Sequence, residues 1–201
     1  VIDIDEHDIP SPFGIHANAH ALARYAALCQ EADIVPIVEP EVLMDGANDI
    51  ERCEVVTSNV LEEVFSQLDA HRVVFDGMLL KPNMVIPGKK CPRQASVQEV
   101  AEATIRCLTH YVPAAVPGIV FLSGGQSAED ATDHLNAMNA MGSHPWQVSF
   151  SYGRALQAPV LATWKGQESN YAAAQNALYK RSKLNGLARD GSYERSMEEA
   201  T

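Results

Sequence analysis

Lys81 is the residue whose type and position first suggest chemistry. It follows an apolar run, residues 73–80, within Met78-Leu79-Leu80-Lys81-Pro82-Asn83-Met84. A lysine at the end of a buried strand can lose solvation, which disfavours its charged form. The neutral amine can then attack a carbonyl carbon and form a Schiff base. The alternative is a lysine that only extends its ammonium group into solvent, and on this local pattern it is the commoner case.

Two glutamates, Glu39 and Glu41, end another apolar segment in Val38-Glu39-Pro40-Glu41. Residues two apart in a strand point to the same face of a sheet. One carboxylate could therefore transfer protons as an acid or base, and the other could hold a neighbouring lysine in its charged form. A pair of strand-end carboxylates in solvent fits this local pattern equally well.

Two glycine turns are candidate anion-binding sites. Ser123-Gly124-Gly125-Gln126-Ser127 and Ser151-Tyr152-Gly153-Arg154 each follow a strand-like segment and precede a helical one. Glycines let the backbone approach a ligand, and amides at a helix N-terminus bind anions. Arg154 could hold a phosphate through two parallel hydrogen bonds. Each segment alone could be a plain turn, but together they predict a phosphorylated carbonyl substrate with Lys81 as the nucleophile.

Hydrophobic periodicity predicts alternating strands and helices around these motifs. The predicted strands are residues 34–38, 73–80, 118–122 and 147–152, with a remnant at residues 1–5. The predicted helices cover residues 15–32, the stretch around 61–68, residues 154–164 and residues 171–184. Ser96 and Glu99 form a capping box that opens a further helix to about residue 110, and Ser127 caps the helix after it.

Alternating strands and helices imply right-handed βαβ units and a parallel sheet. A doubly wound sheet and a TIM (β/α)8 barrel are both compatible with this alternation. The candidate polar residues follow several different strands, which favours the barrel, because barrel active sites are assembled from many strand ends. An open sheet binds its ligand at one switch point. A complete barrel takes about 250 residues, so residues 1–201 are expected to form the C-terminal four to five β/α units of a single barrel domain.

The composition limits the possible partners. The chain has 201 residues and a formal net charge of -11, which argues against nucleic acid or a membrane surface as partner. An anionic substrate would need a local positive site. The four cysteines form no CxxC pair, which is typical of reduced thiols in a cytosolic protein. No apolar run approaches the roughly 18 residues of a membrane helix, and no signal peptide is visible, so we expect a cytoplasmic protein.

Four segments resemble the class I fructose-1,6-bisphosphate aldolases, and they occur in the order found in that family. The resemblance covers residues 15–187. The segments are Val35-Pro36-Ile37-Val38-Glu39-Pro40-Glu41, Leu79-Leu80-Lys81-Pro82-Asn83-Met84-Val85, Phe121-Leu122-Ser123-Gly124-Gly125-Gln126-Ser127 and Phe150-Ser151-Tyr152-Gly153-Arg154-Ala155-Leu156-Gln157.

The resemblance implies a barrel-fold lyase that cleaves fructose 1,6-bisphosphate to dihydroxyacetone phosphate and glyceraldehyde 3-phosphate in glycolysis. It also implies a homotetramer that uses a Schiff base and no metal or other cofactor. Lys81 is similar to the Schiff-base lysine, and Glu39 to the glutamate that assists proton transfer and carbinolamine dehydration. Glu41 is similar to a second strand-end glutamate that supports the lysine cluster. The resemblance assigns the phosphate of the dihydroxyacetone half to Ser123, Gly124, Gly125, Gly153 and Arg154.

Parts of the family pattern have no counterpart in this chain. An aspartate, two further lysines and the arginine for the other phosphate belong to segments absent here. The family's C-terminal tyrosine is also unmatched, since the context of Tyr193, Asp190-Gly191-Ser192-Tyr193-Glu194, differs. We therefore expect an aldolase whose site is incomplete in this chain, so that the chain alone is inactive. A noncatalytic half-barrel that binds phosphate or assembles with a partner is the alternative.

Overall fold

The computed structural model describes residues 1–5 and 8–199. Within them, four strands alternate with α-helices. The helices are α1 (Pro12–Glu31), α2 (Ile50–Ala70), α3 (Val97–Tyr111), α4 (Ala128–Ala140), α5 (Arg154–Trp164) and α6 (Tyr171–Arg189). The strands are β1 (Ile37–Val38), β2 (Leu79–Leu80), β3 (Gly118–Phe121) and β4 (Gln147–Phe150). Short 3-10 helices lie at Phe75–Gly77, Glu168–Asn170 and Arg195–Glu198.

The four strands form one parallel sheet in the order β1-β2-β3-β4. Each strand pairs with the next in the chain, with Val38 opposite Leu80 and Phe121 opposite Phe150. A doubly wound sheet would reverse this order at a switch point, and none occurs among the described strands. The predicted α/β fold of a partial (β/α)8 barrel is therefore confirmed, and the doubly wound alternative is not.

The strand boundaries differ from the sequence prediction. Most of the predicted strand 73–80 is wrong, because Phe75–Gly77 is a 3-10 helix and only Leu79–Leu80 pairs as a strand. The side chain of Gln30, at the end of α1, donates to the carbonyl oxygen of Val74 at 2.9 Å and accepts from its amide at 2.9 Å. These bonds occupy the backbone groups that a neighbouring strand would need.

The other four predicted strands are also shorter than expected. The segment 34–38 contributes only β1, since the Ile34 amide donates to the carbonyl oxygen of Cys29 and Pro36 has no amide hydrogen. The remnant at residues 1–5 makes one parallel bridge, between Ile2 and Val42. Strands β3 and β4 end one and two residues before their predicted ends.

The starts of α3 and α4 follow the predicted capping signals, whereas α1 begins at Pro12, three residues before its predicted start. Ser96 and Glu99 form the predicted capping box, and the Ser127 side chain accepts a hydrogen bond from the Asp130 amide. Helix α5 has the predicted bounds. Helix α6 continues past the predicted end at residue 184, because Ala188 is fully buried against the core.

The core lies between the sheet and the helices. Neighbouring helices pack in sequence, α1 on α2, α2 on α3 and α3 on α4, as right-handed crossovers in one direction require. This layer leaves the carboxyl ends of all four strands at one edge of the sheet. Within the described ranges, no helix is long and apolar enough to cross a membrane. Fully buried core side chains include Val38, Leu61, Leu68, Leu80, Leu108, Ile119, Phe121, Leu135 and Met138.

Candidate active site at the carboxyl ends of the strands

Lys81 and Glu39 form an ion pair at the ends of two adjacent strands. The Lys81 amide donates to the carbonyl oxygen of Val38 at 2.7 Å, which aligns the residues that follow β1 and β2. Nζ of Lys81 lies 3.0 Å from Oε1 of Glu39. The lysine side chain is 19% exposed and the glutamate side chain 44% exposed. The amine is therefore sheltered, and a carboxylate open to solvent lies within proton-transfer distance of it.

Asn83 fixes the backbone that carries this pair. Its Oδ1 accepts from the Val42 amide at 3.1 Å, and its Nδ2 donates to Oγ1 of Thr57 at 3.1 Å. One buried side chain thus joins the loops after β1 and β2 to helix α2. A buried amide whose donors and acceptor are all used holds its neighbours in one arrangement. The strand-end position of Lys81 follows from this network.

Glu41 lies apart from the lysine. Its carbonyl oxygen accepts from the Ile2 amide at 2.8 Å, and its side chain is half-buried. Within residues 1–5 and 8–199, the carboxylate of Glu41 takes part in no ion pair, whereas that of Glu39 does. The structure thus brings Glu39 to Lys81 and not Glu41, whose supporting role stays a prediction.

The first glycine turn has an open polar surface. Gly124 and Gly125 have φ values of 59° and 84°, in the left-handed region that favours glycine. The Gln126 amide closes the turn on the carbonyl oxygen of Ser123 at 2.9 Å. Ser123 is only 4% exposed, yet its hydroxyl has no hydrogen-bond partner in the described part of the chain. The amides of Gly124 and Gly125 are likewise free there, so all three groups are available to an anion.

The second turn lies beside the first. The Ser151 amide donates to the carbonyl oxygen of Phe121 at 2.9 Å, which sets the ends of β3 and β4 side by side. Gly153 is the N-cap of α5, and Arg154 is its first residue. A Cβ at Gly125 would lie 3.6 Å from NH1 of Arg154, so the guanidinium reaches the first turn. Among the described residues Arg154 has no carboxylate partner, which leaves its charge available to a ligand.

Lys89 is a third cation at this edge of the sheet, and its sequence context did not predict it as a site residue. A Cβ at Gly125 would lie 2.7 Å from Nζ of Lys89, so the ammonium group of Lys89 reaches the first glycine turn. Nζ also lies 3.0 Å from Oδ1 of Asp45. Lys89 comes eight residues after Lys81. Because it does not directly follow a strand, its position did not predict a role in the site. The one sequence feature that could have indicated a cationic loop is the pair Lys89-Lys90 directly after Pro87-Gly88.

His134 anchors the first turn to helix α4. Burial lowers the pKa of His134 to about 4, so the imidazole is neutral near pH 7. Its Nδ1–H donates to Oε1 of Gln126 at 2.6 Å. Gln126 in turn contacts Sδ of Met84 at 3.5 Å. These contacts could not be predicted from the sequence, because helical periodicity gives His134 no feature that links it to Gln126.

Two of the four cysteine thiols are buried, and the described residues include no metal-ligating cluster. Across residues 1–5 and 8–199, no group of three His, Cys, Asp or Glu side chains could hold a metal ion. All four cysteines are free thiols. Burial raises the pKa of Cys107 to about 11 and also raises that of Cys53, which keeps both protonated near pH 7.

Known proteins match this chain along its whole length. The model of a family described as "Glycolytic: Fructose-bisphosphate aldolase class-I" matches residues 1–201. A probable fructose-bisphosphate aldolase class 1 of Xanthomonas campestris is 57% identical over 194 residues, which are 96% of this chain and 58% of the relative. Fructose-bisphosphate aldolase B of Sparus aurata is 54% identical over 183 residues, 90% of this chain and 50% of the relative.

A solved structure gives the same result for the fold. It is that of fructose-bisphosphate aldolase from Plasmodium falciparum, in complex with TRAP and a small-molecule inhibitor. Its TM-score is 0.94 at 50% sequence identity, and the match covers 96% of this chain and 56% of that one. The chain thus spans between half and three fifths of the length of these relatives.

Proposed function

The chain belongs to the class I fructose-bisphosphate aldolase family, and we propose that the whole protein is a lyase of glycolysis. It cleaves fructose 1,6-bisphosphate to dihydroxyacetone phosphate and glyceraldehyde 3-phosphate, and residues 1–201 form the C-terminal part of its single barrel domain. As the family resemblance implies, it works in the cytoplasm as a homotetramer. The observation that carries the proposal is the sheltered ion pair of Lys81 and Glu39, 3.0 Å apart beside two glycine turns.

Lys81 is the nucleophile in this proposal. Its amine must first lose a proton, and Glu39 lies within hydrogen-bond distance to accept it. Nζ then adds to the C2 carbonyl carbon of the ketose and gives a carbinolamine. Protonation of the departing hydroxyl, by the same carboxyl group, releases water and leaves the iminium. Glu41 would support the charge balance around the lysine.

The iminium is the electron sink for carbon–carbon cleavage. The C4 hydroxyl gives its proton to a carboxylate, and Glu39 is available for this once it has protonated the departing hydroxyl. The C4 oxygen then forms a carbonyl as the C3–C4 bond breaks toward the iminium nitrogen. Glyceraldehyde 3-phosphate departs, and an enamine of dihydroxyacetone phosphate remains on Lys81. Protonation of this enamine at C3 and hydrolysis of the iminium release the second product and restore the amine. In this scheme the charged side chains of the protein lie where charge develops during the reaction.

The two glycine turns are proposed to bind the C1 phosphate. The uncommitted Ser123 hydroxyl and the free amides of Gly124 and Gly125 supply neutral donors, and Gly153 lets the phosphate approach the start of α5. Arg154 supplies a charged donor, and charge-assisted hydrogen bonds are the stronger kind. An acidic chain with a net charge of -11 needs such a local cationic site to hold a phosphorylated substrate.

Trapping tests the covalent step directly. The whole protein would be incubated with dihydroxyacetone phosphate and sodium borohydride, then digested and analysed by peptide mass spectrometry. We expect the reduced adduct on Lys81, and no trapped adduct in a Lys81→Met variant. An adduct on Lys89 or Lys90 instead would overturn the assignment. No adduct on a protein that still binds phosphate would favour the noncatalytic half-barrel.

A further inference from the structure

Three loops meet beside the first glycine turn. The loop after β2 folds back on the loop after β1, since the Lys89 amide donates to the carbonyl oxygen of Met44 at 2.7 Å and the Lys90 amide to that of Gly46 at 2.9 Å. A Cβ at Gly88 would lie only 2.2 Å from the Gly46 carbonyl oxygen, so this close approach requires glycine. The backbone therefore fixes the place from which the Lys89 side chain extends toward the loop after β3.

Lys89 and Arg154 bring two positive charges to one point. The Cβ position of Gly125 lies 2.7 Å from Nζ of Lys89 and 3.6 Å from NH1 of Arg154. The two cationic groups are thus no further apart than the sum of these distances. A phosphate bound on the turn could face both of them. Its charge at pH 7 is about -1.5 to -2, which one arginine does not balance.

The ion pair with Asp45 does not prevent Lys89 from contacting a phosphate on the turn. The Lys89 side chain is 44% exposed and that of Asp45 is 63% exposed, so the pair is a solvent-exposed one with a small contribution to stability. An ammonium group has three N–H donors, and one of them reaches Asp45. The others can contact a phosphate without breaking that pair, so Asp45 orients the amine over the turn.

We propose that Lys89 is a second phosphate-binding cation of this site, which acts with Arg154 on the C1 phosphate of the ketose. This inference rests on the proposed function, because it names a further residue for the same substrate. Lys89 touches the phosphate and not the reacting carbons. Its contribution is to binding: it selects ketoses phosphorylated at C1 and leaves the chemical steps to Lys81 and Glu39.

Three variants of the whole protein test this role. Lys89→Gln removes the charge, Lys89→Arg keeps it, and Lys90→Gln removes the same charge from the neighbouring exposed residue. The substrates are fructose 1,6-bisphosphate and fructose 1-phosphate, whose only common phosphate is the one at C1. Equilibrium binding of inorganic phosphate provides a readout that does not depend on cleavage.

We expect Lys89→Gln to raise KM for both ketoses and Kd for phosphate by roughly tenfold, as loss of a charge-assisted hydrogen bond implies. The value of kcat should change less than about twofold, because the contact is the same in the ground and transition states. Lys89→Arg should recover most of the affinity, and Lys90→Gln should match the wild type. Equal values for Lys89→Gln and Lys90→Gln would overturn the inference.

The phosphate readout separates the two proposals. If the wild type cleaves both ketoses but Lys89→Gln binds phosphate normally, only the role of Lys89 is wrong. If the wild type cleaves neither ketose, the proposed function fails. Weakened phosphate binding by Lys89→Gln would then still support a cation at this turn.

Discussion

Two arginines in this chain have opposite surroundings. Arg181, on α6, is 3% exposed and binds Oε1 of Glu198 at 2.5 Å, the Ala128 carbonyl oxygen at 2.9 Å and Oγ1 of Thr132 at 2.6 Å. Arg154, at the start of α5, is exposed and has no carboxylate partner in residues 1–5 and 8–199. The first arginine is neutralised by a carboxylate of its own chain, and the charge of the second stays available to a ligand.

The difference separates structural charges from binding charges. A buried charge that has its partner contributes little net stability, but removing the partner costs several kcal/mol. An exposed charge without a partner costs the fold almost nothing and can bind an anion. The region around Arg181 joins α4, α6 and the 3-10 helix Arg195–Glu198. Arg154, at the start of α5, lies instead beside the loops that carry Gly125 and Lys89. Stability and ligand affinity should therefore respond to different mutations.

The largest effect on folding is expected from Arg181→Met. This change leaves the half-buried carboxylate of Glu198 without its cation, and we expect the free energy of unfolding to fall by about 3 kcal/mol. Urea denaturation of the whole protein measures this. The double variant Arg181→Met with Glu198→Gln should recover part of the loss. A single variant as stable as the wild type would show that Arg181 is not the structural charge described above.

Arg154→Ala should have the opposite profile. We expect the specificity constant for fructose 1,6-bisphosphate to fall roughly ten- to hundredfold, since a charge-assisted contact contributes about 1.5–3 kcal/mol. The free energy of unfolding should change by less than about 0.5 kcal/mol. Steady-state kinetics and urea denaturation of the same preparation give both values. An unchanged specificity constant would mean that Arg154 does not contact the substrate.

The smallest effect concerns His134, on the helix between these two regions. Its pKa is about 4 in the fold, below the ordinary value of about 6.5. The unfolded chain therefore takes up a proton first as the pH falls, and stability present above pH 6.5 is lost toward pH 4. Between pH 7.5 and 5.5 the wild type should lose about 1.4 kcal/mol more than His134→Gln. Parallel pH dependences, measured by urea denaturation, would contradict this.

The sequence predicted the helices better than the strands. Periodicity and capping residues depend on neighbours within a few positions, which is why the start of α3 at Ser96 and Glu99 could be predicted. Strand length depends on which backbone or side-chain groups bind the edges of the segment, and these come from distant parts of the sequence. Nothing local in residues 73–80 shows that Gln30 occupies the backbone of Val74, so that segment was predicted as one long strand.

The residues of the candidate site also fall into two groups, those that the sequence predicted and those that needed the structure. Lys81 and Glu39 directly follow strands, and Arg154 begins the helix after β4. Their order along the chain was enough to bring them to one edge of the sheet. Lys89 and Asp45 reach the site through hydrogen bonds between two loops. Those bonds join positions 44–46 to positions 89–90, and no periodic pattern spans that separation. Loop-borne residues therefore needed the structure.

The segment from Pro82 to Gly88 has no regular secondary structure, yet every residue in it is buried. The Val85 amide donates to Oγ1 of Thr104 at 2.9 Å, and the Gly88 amide to the carbonyl oxygen of Asn48 at 2.8 Å. Such amides can exchange with deuterium only when the surrounding packing opens. By rate of isotope exchange this loop would be grouped with the core helices. Its slow exchange would make it a reporter of global unfolding next to the amine of Lys81.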